Sequence, residues 1–555
     1  MYIFFQPTKG KSKLVYLQEG YRDIHKKPRI RILQKLGRLS DFQEMYPHLN
    51  DEEIKQLLSE KYVTKAKIPI VIDLDEETNT ITNDKFNYGH LFLDQSFNKL
   101  MNGLAISNDD LKKLNHLVSL RIIEPCSKRK SFKLLENFIG YSNDNYKVNR
   151  YYDLLTVIAK EKDNILQIVN KNIGERDFSL TFYDTTNYYF ETPYVEEHDI
   201  RQKEFSKENR PNPIVQMGLL MDKNNIPIHY KLFKGNTNDS QTFIPIFKEY
   251  RELYNIPKII LVADAGVNSA INLDFTNDTN NGYVMRLTIN KKSPKSIKDI
   301  VLDTKDYTWN HDKTTKSKTT IIERKIEVKE NDKYIKTITL KEKLVITFNQ
   351  KYYERDKKEH EKLRGKLTPY IEGRNPENTI KKGYTKYFDS DKEDKTQYIF
   401  NEKKFDDELK YAGYYALVTS ELDFTTEEII EKYKGLLKIE ESFKVIKSDL
   451  EGRPVYVWKN DHIEAHFLIC FISLVMIKLL QRNLNKAGHN YTTTNIKDAL
   501  KQASAINTGK GIYLITRQTP LIRELIDIFG LNSILTKKWI TEETIKKIIL
   551  QTTEK

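Results

Sequence analysis

An unbroken apolar run that ends in an acid sets the strongest limit on how this chain can fold. In "PKIILVADAG", residues 257–266, a stretch of apolar residues leads to Asp264, and Gly266 then allows the chain to turn. A strand without polar side chains has to be covered on both faces, as in the centre of a sheet flanked by helices. We therefore expect an α/β fold in which Asp264 ends a central strand.

The stretches around this run predict the other strands of the same sheet. β-branched and aromatic residues favour strands, and they are concentrated at 177–191, 212–222, 226–235 and 282–287. An amphipathic helix is expected at 240–255, directly before the central strand. Three strands, a helix and two further strands follow the order of a ribonuclease-H-like sheet. The fold class that we expect is therefore α/β, with a ribonuclease-H-like domain.

Changes in composition along the 555 residues predict six regions, since the chain is too long for one core. They are an N-terminal α+β region with a basic hairpin (1–70), a helical domain (71–176), the first part of the ribonuclease-H-like core (177–290), a mostly β insertion (291–412), the second part of the core (413–485) and a C-terminal helical region (486–555). The insertion is expected because residues 318–348 alternate as strands do, after the sheet pattern has stopped.

The charge of the chain favours a polyanionic partner. Lys and Arg number 91 against 78 Asp and Glu, a formal net charge of +13, and such a surplus points to nucleic acid above all. An anionic membrane or a solvated, Lys-rich surface would also account for it. The N-terminal hairpin combines tyrosines with a basic cluster, which suits contacts to DNA phosphates, although a solvated hairpin has the same composition. The cluster consists of Lys26, Lys27, Arg29 and Arg31.

Membrane insertion and a disulfide framework are not expected. The most apolar segment, "FLICFISLVMIKLL" (467–480), is too short to span a bilayer and contains Lys478, so it predicts a buried core helix. Cys126 and Cys470 are too few and too far apart for a disulfide framework or a cysteine-based zinc site. A signal peptide has a basic segment before its apolar residues, and the N-terminus of this chain does not. We expect a cytoplasmic protein without a membrane partner.

The stretch "YKGLLKIEESFKVIK" (433–447) places two adjacent glutamates inside an amphipathic helix. One long helix over 425–450 is expected, starting with a capping box of Thr425 and Glu428. A spacing of seven residues brings Tyr433, Glu440 and Lys447 to one face, whereas Glu441 is rotated by about 100°. We therefore expect Glu440 to face a site; the alternative is two solvated glutamates beside an apolar stripe.

Two further acids stand where a carboxylate is costly to bury unless it is paired or binds metal. Asp184 lies within the first predicted strand and Asp264 ends the fourth. These strands are neighbours in a ribonuclease-H-like sheet, so both acids could share a cation, with Glu440 packed beside them. Either Asp alone is more often a turn or capping residue. Together the three acids indicate a site for divalent metal that acts on phosphate esters.

These motifs resemble the DDE transposases of bacterial insertion sequences, within the insertion-sequence-four superfamily that carries a β-strand insertion between the second Asp and the Glu. Tyr433, Glu440 and Lys447 match the Tyr, Glu and Lys of the signature helix, while Leu436 stands at the Arg position. The long gap between Asp264 and Glu440 accommodates the insertion. Lys434, Lys438 or Arg453 could replace the phosphate contact of the missing Arg.

The resemblance implies a transposase that cleaves DNA at the element ends and transfers the strands into target DNA. Asp184, Asp264 and Glu440 would bind two Mg²⁺ or Mn²⁺ ions, and a homodimer would hold the two terminal inverted repeats. The same resemblance implies a cytoplasmic protein that associates with the nucleoid when bound to DNA. Further residues are expected to contact DNA, namely Tyr433, Lys447, Arg286, Lys207 and Arg210.

Two other functions are compatible with the same residues. A ribonuclease-H-like nuclease that cuts without joining would keep all three acids. A transposase-derived DNA-binding protein without catalysis is the second alternative, and the Leu436 departure leaves room for it. Mg²⁺-dependent cleavage of DNA would separate that binding protein from the two enzymes.

Overall fold

The computed structural model describes residues 2–8, 12–22, 27–63, 85–142, 147–191, 195, 199–203, 211–254, 256, 258–289, 293–330, 333–372, 380–381, 383–390, 398–508 and 511–550. The chain divides into two compact units, Met1–Thr80 and Ile81–Lys555.

The first unit is a small α+β module. Three antiparallel strands form a sheet in the order β1-β2-β3, with β1 at Tyr2–Gln6, β2 at Leu14–Arg22 and β3 at Pro28–Arg38. Helices α1 (Leu39–Met45) and α2 (Asp51–Leu58) follow, and a π-helical turn covers Ser59–Val63. Apolar residues of strands and helices bury one another, including Val15, Phe42 and Ile54. The hairpin expected in the N-terminal region corresponds to β2 and β3, which pair as antiparallel strands.

The second unit begins with a short strand and a group of helices. The strand β4 is Lys85–Asn87, and the helices are α3 (His90–Leu100), α4 (Asn108–Ile123), α5 (Lys128–Leu134), α6 (Val148–Lys160) and α7 (Lys162–Asn172). A 3₁₀ turn covers Leu135–Asn137. Helix α4 is capped by the Ser107 side chain, which accepts a hydrogen bond from the Asp110 amide. The helical character expected for this part of the chain is present.

A nine-stranded sheet dominates the second unit. Its strands are β5 (Leu180–Tyr189), β6 (Ile214–Met221), β7 (Pro227–Lys234), β8 (Ile260–Ala263), β9 (Gly282–Leu287), β10 (Thr308–Trp309), β11 (Thr315–Glu330), β12 (Lys333–Asn349) and β15 (Tyr414–Thr419), while β13 (Phe388–Ser390) and β14 (Tyr398–Phe400) form a separate pair. The spatial order is β10-β11-β12-β15-β9-β8-β5-β6-β7. A mixed α/β fold is thereby confirmed.

Strand β8 is an interior strand of this sheet, as its apolar sequence predicts. It runs parallel to both β5 and β9, and Leu261, Val262 and Ala263 are buried. Strands β5, β6 and β7 are antiparallel neighbours, so the first five core strands have the order that a ribonuclease-H-like sheet requires. The predicted adjacency of the first and fourth strands is confirmed.

Helices cover both faces of the sheet. One face packs against α8 (Asp239–Tyr254) and α9 (Ala270–Asp278). The other packs against α15 (Asn460–Lys486), which belongs to the larger of the two cores. Among the described residues, α15 alone is long and apolar enough to cross a membrane, but 89% of its most apolar window is buried in the protein. The prediction of a buried core helix is confirmed.

The segment between β9 and β15 contains helices as well as strands. Its helices are α10 (Lys295–Leu302), α11 (Gln350–Ile371) and α12 (Glu402–Asp406), with 3₁₀ turns at Thr385–Tyr387 and Leu409–Tyr411. The long hairpin of β11 and β12 does not form a sheet of its own, because β12 pairs with β15 from Lys343↔Thr419 to Phe348↔Tyr414. The segment therefore extends the central sheet.

The predicted long helix over 425–450 is wrong in one respect, since it consists of three pieces. These are α13 (Thr426–Lys434), α14 (Leu436–Lys444) and a π-helical turn at Val445–Asp449. The break falls at Gly435, where a Cβ atom would lie only 2.3 Å from the Phe182 ring. The capping box of Thr425 and Glu428 is confirmed.

The C-terminal region is not purely helical, which corrects that expectation. Helices α16 (Thr493–Gln502), α17 (Pro520–Ile528), α18 (Asn532–Leu535) and α19 (Glu542–Leu550) accompany strands β16 (Ser504–Asn507), β17 (Ile512–Arg517) and β18 (Trp539–Thr541). The strands form a sheet with β4 in the order β18-β17-β16-β4. Such short strands are stabilised by a partner that is remote in sequence, so local periodicity does not reveal them.

Candidate active site

Asp184 and Asp264 lie side by side at the same end of two parallel strands. The register pairs Tyr183 of β5 with Ala263 of β8, so the next residue on each chain is one of the two acids. Neighbouring strands are about 4.8 Å apart, which keeps the two carboxylates close. Asp184 is half-buried and Asp264 is exposed. Both acids have the strand positions that the sequence predicts, since Asp184 lies within β5 and Asp264 directly follows β8.

Glu440 of α14 reaches the same place from the helical side. Asp184, Asp264 and Glu440 all line one open cavity of about 350 Å³. The neighbouring Glu441 does not line it; its carboxylate lies 3.8 Å from the Lys438 ammonium and 3.9 Å from that of Lys478. The two adjacent glutamates therefore have different surroundings, and the one that faces the cavity is Glu440.

The donor types around the cavity suit a divalent cation, because hard ions such as Mg²⁺ prefer carboxylate oxygens. Within the described parts of the chain, however, no three His, Cys, Asp or Glu side chains are gathered closely enough to hold a metal ion. The three carboxylates thus share a cavity without forming a closed ligand set. Their carboxylate oxygens are the donor type that such a metal prefers, so the chemistry of the three residues fits a metal.

Tyr433 is tied directly to one of the acids. Its hydroxyl donates a hydrogen bond of 2.9 Å to Asp264 Oδ1. Burial raises the pKa of Tyr433, and the negative charge of Asp264 raises it further. The hydroxyl therefore remains protonated and keeps donating to the carboxylate over the physiological pH range.

Lys447 contacts the strand that carries Asp184. It is not among the residues lining the cavity; its ammonium donates to Thr186 Oγ1 at 2.6 Å and lies 5.5 Å from the centre of the Tyr188 ring. The expected common face assumed a regular α-helix, but Lys447 belongs to the π-helical turn, which has a wider repeat. Thr186 and Asp184 point to the same side of β5, so Lys447 still contacts the strand that carries the first acid.

Several basic residues surround the cavity where the signature Arg is replaced by Leu436. Arg286, Arg355 and Lys434 all line it, as Leu436 itself does. Arg355 was not predicted; it lies on α11, where Nη2 contacts Asp356 Oδ1 at 2.9 Å. The charged run at 355–367 indicates a helix, but only the tertiary structure brings that helix to the cavity.

The other residues considered as substitutes for the Arg are placed elsewhere. Lys438 lies beside Glu441, and Arg453 lines a second pocket. Lys26, Lys207 and Arg210 lie outside the described residues.

The basic residues described in the first unit are exposed. Lys27 precedes β3, while Arg29 and Arg31 belong to it. The guanidinium of Arg31 forms an ion pair of 2.7 Å with Glu19 and lies 5.6 Å from the centre of the Tyr21 ring. A basic side chain of β3 thus lies next to an aromatic side chain of the neighbouring strand β2.

Asp239 is a further acid near the site that sequence reasoning missed. At the start of α8, its Oδ1 accepts hydrogen bonds from Thr185 Oγ1 at 2.7 Å and from the Gln216 amide. A Cβ on Gly266 would lie 3.6 Å from its Oδ2. Asp239 therefore links β5 and β6 to the start of α8 and lies near the turn after Asp264. The available signal was its place in "GNTND", an acid at the first turn of an expected helix.

Comparisons with known proteins identify two transposase domains in the chain. A family model described as "Transposase DDE domain" matches residues 195–476, and one described as "IS1634 family transposase, N-terminal domain" matches residues 5–67. The longer match contains Asp264 and Glu440 and begins shortly after Asp184. No curated protein shows a significant match to the chain.

Two solved structures illustrate what the chain is similar to. One is a piggyBac transposase synaptic complex with hairpin DNA, with a TM-score of 0.36 and 8% identity, covering 87% of this chain and 86% of that one. The other is a Mos1 transposase paired-end complex with the left transposon end, with a TM-score of 0.14 and 14% identity, covering 43% of this chain and 74% of that one.

Proposed function

This chain belongs to the family of DDE transposases, and on that premise we propose that Asp184, Asp264 and Glu440 are the residues with which it cuts and joins DNA. Its activity is that of a metal-dependent DNA endonuclease and strand transferase of an insertion sequence. The observation that carries the assignment is that three carboxylates from β5, β8 and α14 line one cavity. Three elements far apart in sequence converge there, and basic side chains surround them.

Divalent metal is the cofactor of this family, and we infer two Mg²⁺ or Mn²⁺ ions held by the three acids. When bound, such ions favour ionisation of an attacking water or 3′-hydroxyl and stabilise the leaving oxygen at phosphorus. The Tyr433 hydroxyl fixes the orientation of the Asp264 carboxylate, and Lys447 restrains β5 through Thr186. Both are thus positioning residues for the acids.

The positive charge around the cavity would hold the DNA strand. Arg286, Arg355 and Lys434 can donate to phosphate oxygens next to the reacting bond, taking over the contact that Leu436 does not make. Outside the cavity, we propose that Lys26, Lys27, Arg29 and Arg31 of the N-terminal region recognise the element ends. We propose the same kind of backbone contact for Lys207 and Arg210.

The organisation of the protein follows from the same proposal. We propose that the chain has six regions, divided at residues 70, 176, 290, 412 and 485. The first would recognise the element ends. The third and the fifth would form the catalytic core, with the β-rich insertion between them. Two ends have to be brought together for transfer, so we propose a homodimer on the terminal inverted repeats and target DNA. The protein acts on bacterial DNA in the cytoplasm, and we propose that it associates with the nucleoid.

The test compares Mg²⁺-dependent cleavage of DNA that carries the element ends by the native chain, Glu440→Gln and Glu441→Gln. We expect Glu440→Gln to bind the ends but to cut only at background level, while the matched control Glu441→Gln keeps its activity. Loss of cleavage in Glu441→Gln alone would refute the assignment of Glu440.

A second assay offers pre-cut ends with a free 3′-hydroxyl and a target plasmid. Joined products are expected from the native chain. Cutting without joining would identify a nuclease, and end binding without cutting would identify a non-catalytic DNA-binding protein.

A further inference from the structure

A second pocket in the larger unit is lined by two buried cationic side chains, those of Arg121 and Lys128. It holds about 60 Å³, and its lining includes Arg121, Lys128, Arg453, Tyr456, Glu451 and His466. A water needs roughly 10–15 Å³ of such space, so a group of several heavy atoms fits. This pocket is separate from the cavity of the three acids, since the two share no lining residue.

Lys128 is the innermost cation of this pocket. Only 6% of it is exposed, and its ammonium lies 2.6 Å from His466 Nδ1. His466 Nε2 lies 3.0 Å from the Gly452 carbonyl oxygen, so that nitrogen carries the proton and Nδ1 accepts from Lys128. The ammonium thus uses one donor on a neutral ring, and within the described residues no carboxylate forms an ion pair with it.

Arg121 is buried in the same way. It is 6% exposed and donates to three main-chain carbonyls, those of Leu450 at 3.3 Å, Glu451 at 3.4 Å and Cys126 at 3.0 Å. Its Nε has no hydrogen-bond partner within the described part of the chain. Of the described residues that line the pocket, Glu451 is the one acid, and its side chain is exposed.

Burying two cations that form no ion pair with a carboxylate among the described residues costs stability, and an anionic ligand would offset that cost. Burial, together with the positive charge of Arg121, lowers the pKa of Lys128 to about 7. An anion that entered the pocket would compensate both charges and restore the protonated ammonium. Guanidinium and ammonium donors around a small space suit the oxygens of a phosphate group.

The position of the pocket relates it to the acids. The Val455 amide donates to the Tyr189 carbonyl oxygen at 3.3 Å, so the loop that carries Arg453 and Tyr456 adjoins the end of β5. Asp184 lies five residues before Tyr189 on that strand, so at about 3.3 Å per residue these two residues are roughly 17 Å apart. A strand of duplex DNA rises about 3.4 Å per nucleotide, so a strand bound at the acids covers that length of β5 within a few nucleotides.

An aromatic side chain completes the site at its rim. Tyr456 is 64% exposed although it borders the pocket. Exposed aromatic rings beside bound phosphates are suited to stacking on bases or sugars. From these observations we propose that the pocket of Arg121, Lys128 and His466 binds a backbone phosphate of the DNA that enters the active site. The choice of DNA as the source of the phosphate rests on the proposed function.

The test uses the full chain and three variants, Lys128→Met, Tyr456→Ala and the control Lys223→Met, which removes a surface charge near the other end of β5. Inorganic phosphate is expected to raise the Tm of the native chain and of Lys223→Met but not of Lys128→Met.

DNA binding supplies the second readout and is measured without metal, so it does not depend on which residues bind the catalytic ions. The slope of log affinity against log salt should fall by about 1 in Lys128→Met relative to Lys223→Met. Tyr456→Ala should lose about tenfold in affinity with an unchanged slope. A phosphate effect without a change of slope would mean that free phosphate, not DNA, is the ligand. Equal slopes and equal Tm shifts in Lys128→Met and the native chain would overturn the proposal.

Discussion

The hydroxyl of Tyr433 donates a 2.9 Å hydrogen bond to Oδ1 of Asp264. The two residues come from opposite sides of the long segment that holds β10, β11 and β12. This bond therefore joins the halves of the active site directly at a proposed metal ligand. Partners of metal ligands orient those ligands and tune their affinity for the ion.

Replacing Tyr433 with Phe removes this bond and keeps the ring. We expect cleavage to fall about 10- to 100-fold at low Mg²⁺, with partial recovery at high Mg²⁺, because the orientation of Asp264 is lost. Cleavage rates over a Mg²⁺ titration measure this effect. Tyr334→Phe, at an exposed position on β12, is the matched control, and equal titration curves for both variants would contradict the role of Tyr433.

Replacing Gly435 with Ala tests how closely the Glu440 helix approaches the sheet. The new methyl group would lie 2.3 Å from the Phe182 ring, so α14 has to move away from β5. We expect a loss of about 1–3 kcal/mol in stability and a loss of cleavage. Thermal unfolding and cleavage of the single variant, and of Gly435→Ala with Phe182→Leu, measure both effects.

Gly365 on α11 provides the control for that substitution, because nothing lies within 4 Å of an added Cβ there. Gly365→Ala should stabilise the protein by about 0.5–1 kcal/mol through helix propensity. If Phe182→Leu failed to recover any stability in the double variant, the contact with the ring would not be the cause.

Much of this site could be predicted from short-range patterns. The apolar run before Asp264 requires a central strand, and the helical period distinguishes Glu440 from Glu441. The position of Lys447 could not be predicted, because a π-helical turn changes the phase that a spacing of seven assumes. The contribution of Arg355 and the pairing of β4 with β16 depend on contacts between distant segments, which no local pattern encodes.

Arg355 is expected to contact a DNA phosphate in the place of the missing signature Arg. Arg355→Gln should reduce the salt slope of DNA binding by about 1 and slow cleavage, because one phosphate contact is lost. Binding titrations at several salt concentrations measure this slope. Arg364→Gln, on the same helix but paired with Glu402 outside the cavity, should leave the slope unchanged. Equal slopes for both variants would exclude Arg355 from the DNA interface.

His116 is expected to make the fold sensitive to acid. Burial, with the positive charge of Lys112, lowers its pKa from 6.5 to about 3, while the unfolded chain keeps the ordinary value. The unfolded state thus binds a proton first as the pH falls, so stability is lost from about pH 6.5 towards pH 3.

The Tm of His116→Gln should accordingly fall less between pH 6.5 and pH 4 than that of the native chain. Thermal unfolding at a series of pH values measures the difference. His311→Gln, at a fully exposed histidine, should follow the native curve. Parallel curves for His116→Gln and the native chain would show that another group controls acid sensitivity.

The pairing of β12 with β15 means that the intervening segment cannot be treated as a removable cassette. Excising it would leave β15 with β9 as its one partner and turn an interior strand into the border of the sheet. Apolar residues such as Leu417 and Val418 would then stand beside unpaired amides and carbonyls, a template for association with other chains. A shortened enzyme would need another element to cover the free edge of β15. The segment is therefore needed for solubility as well as for the proposed binding of DNA.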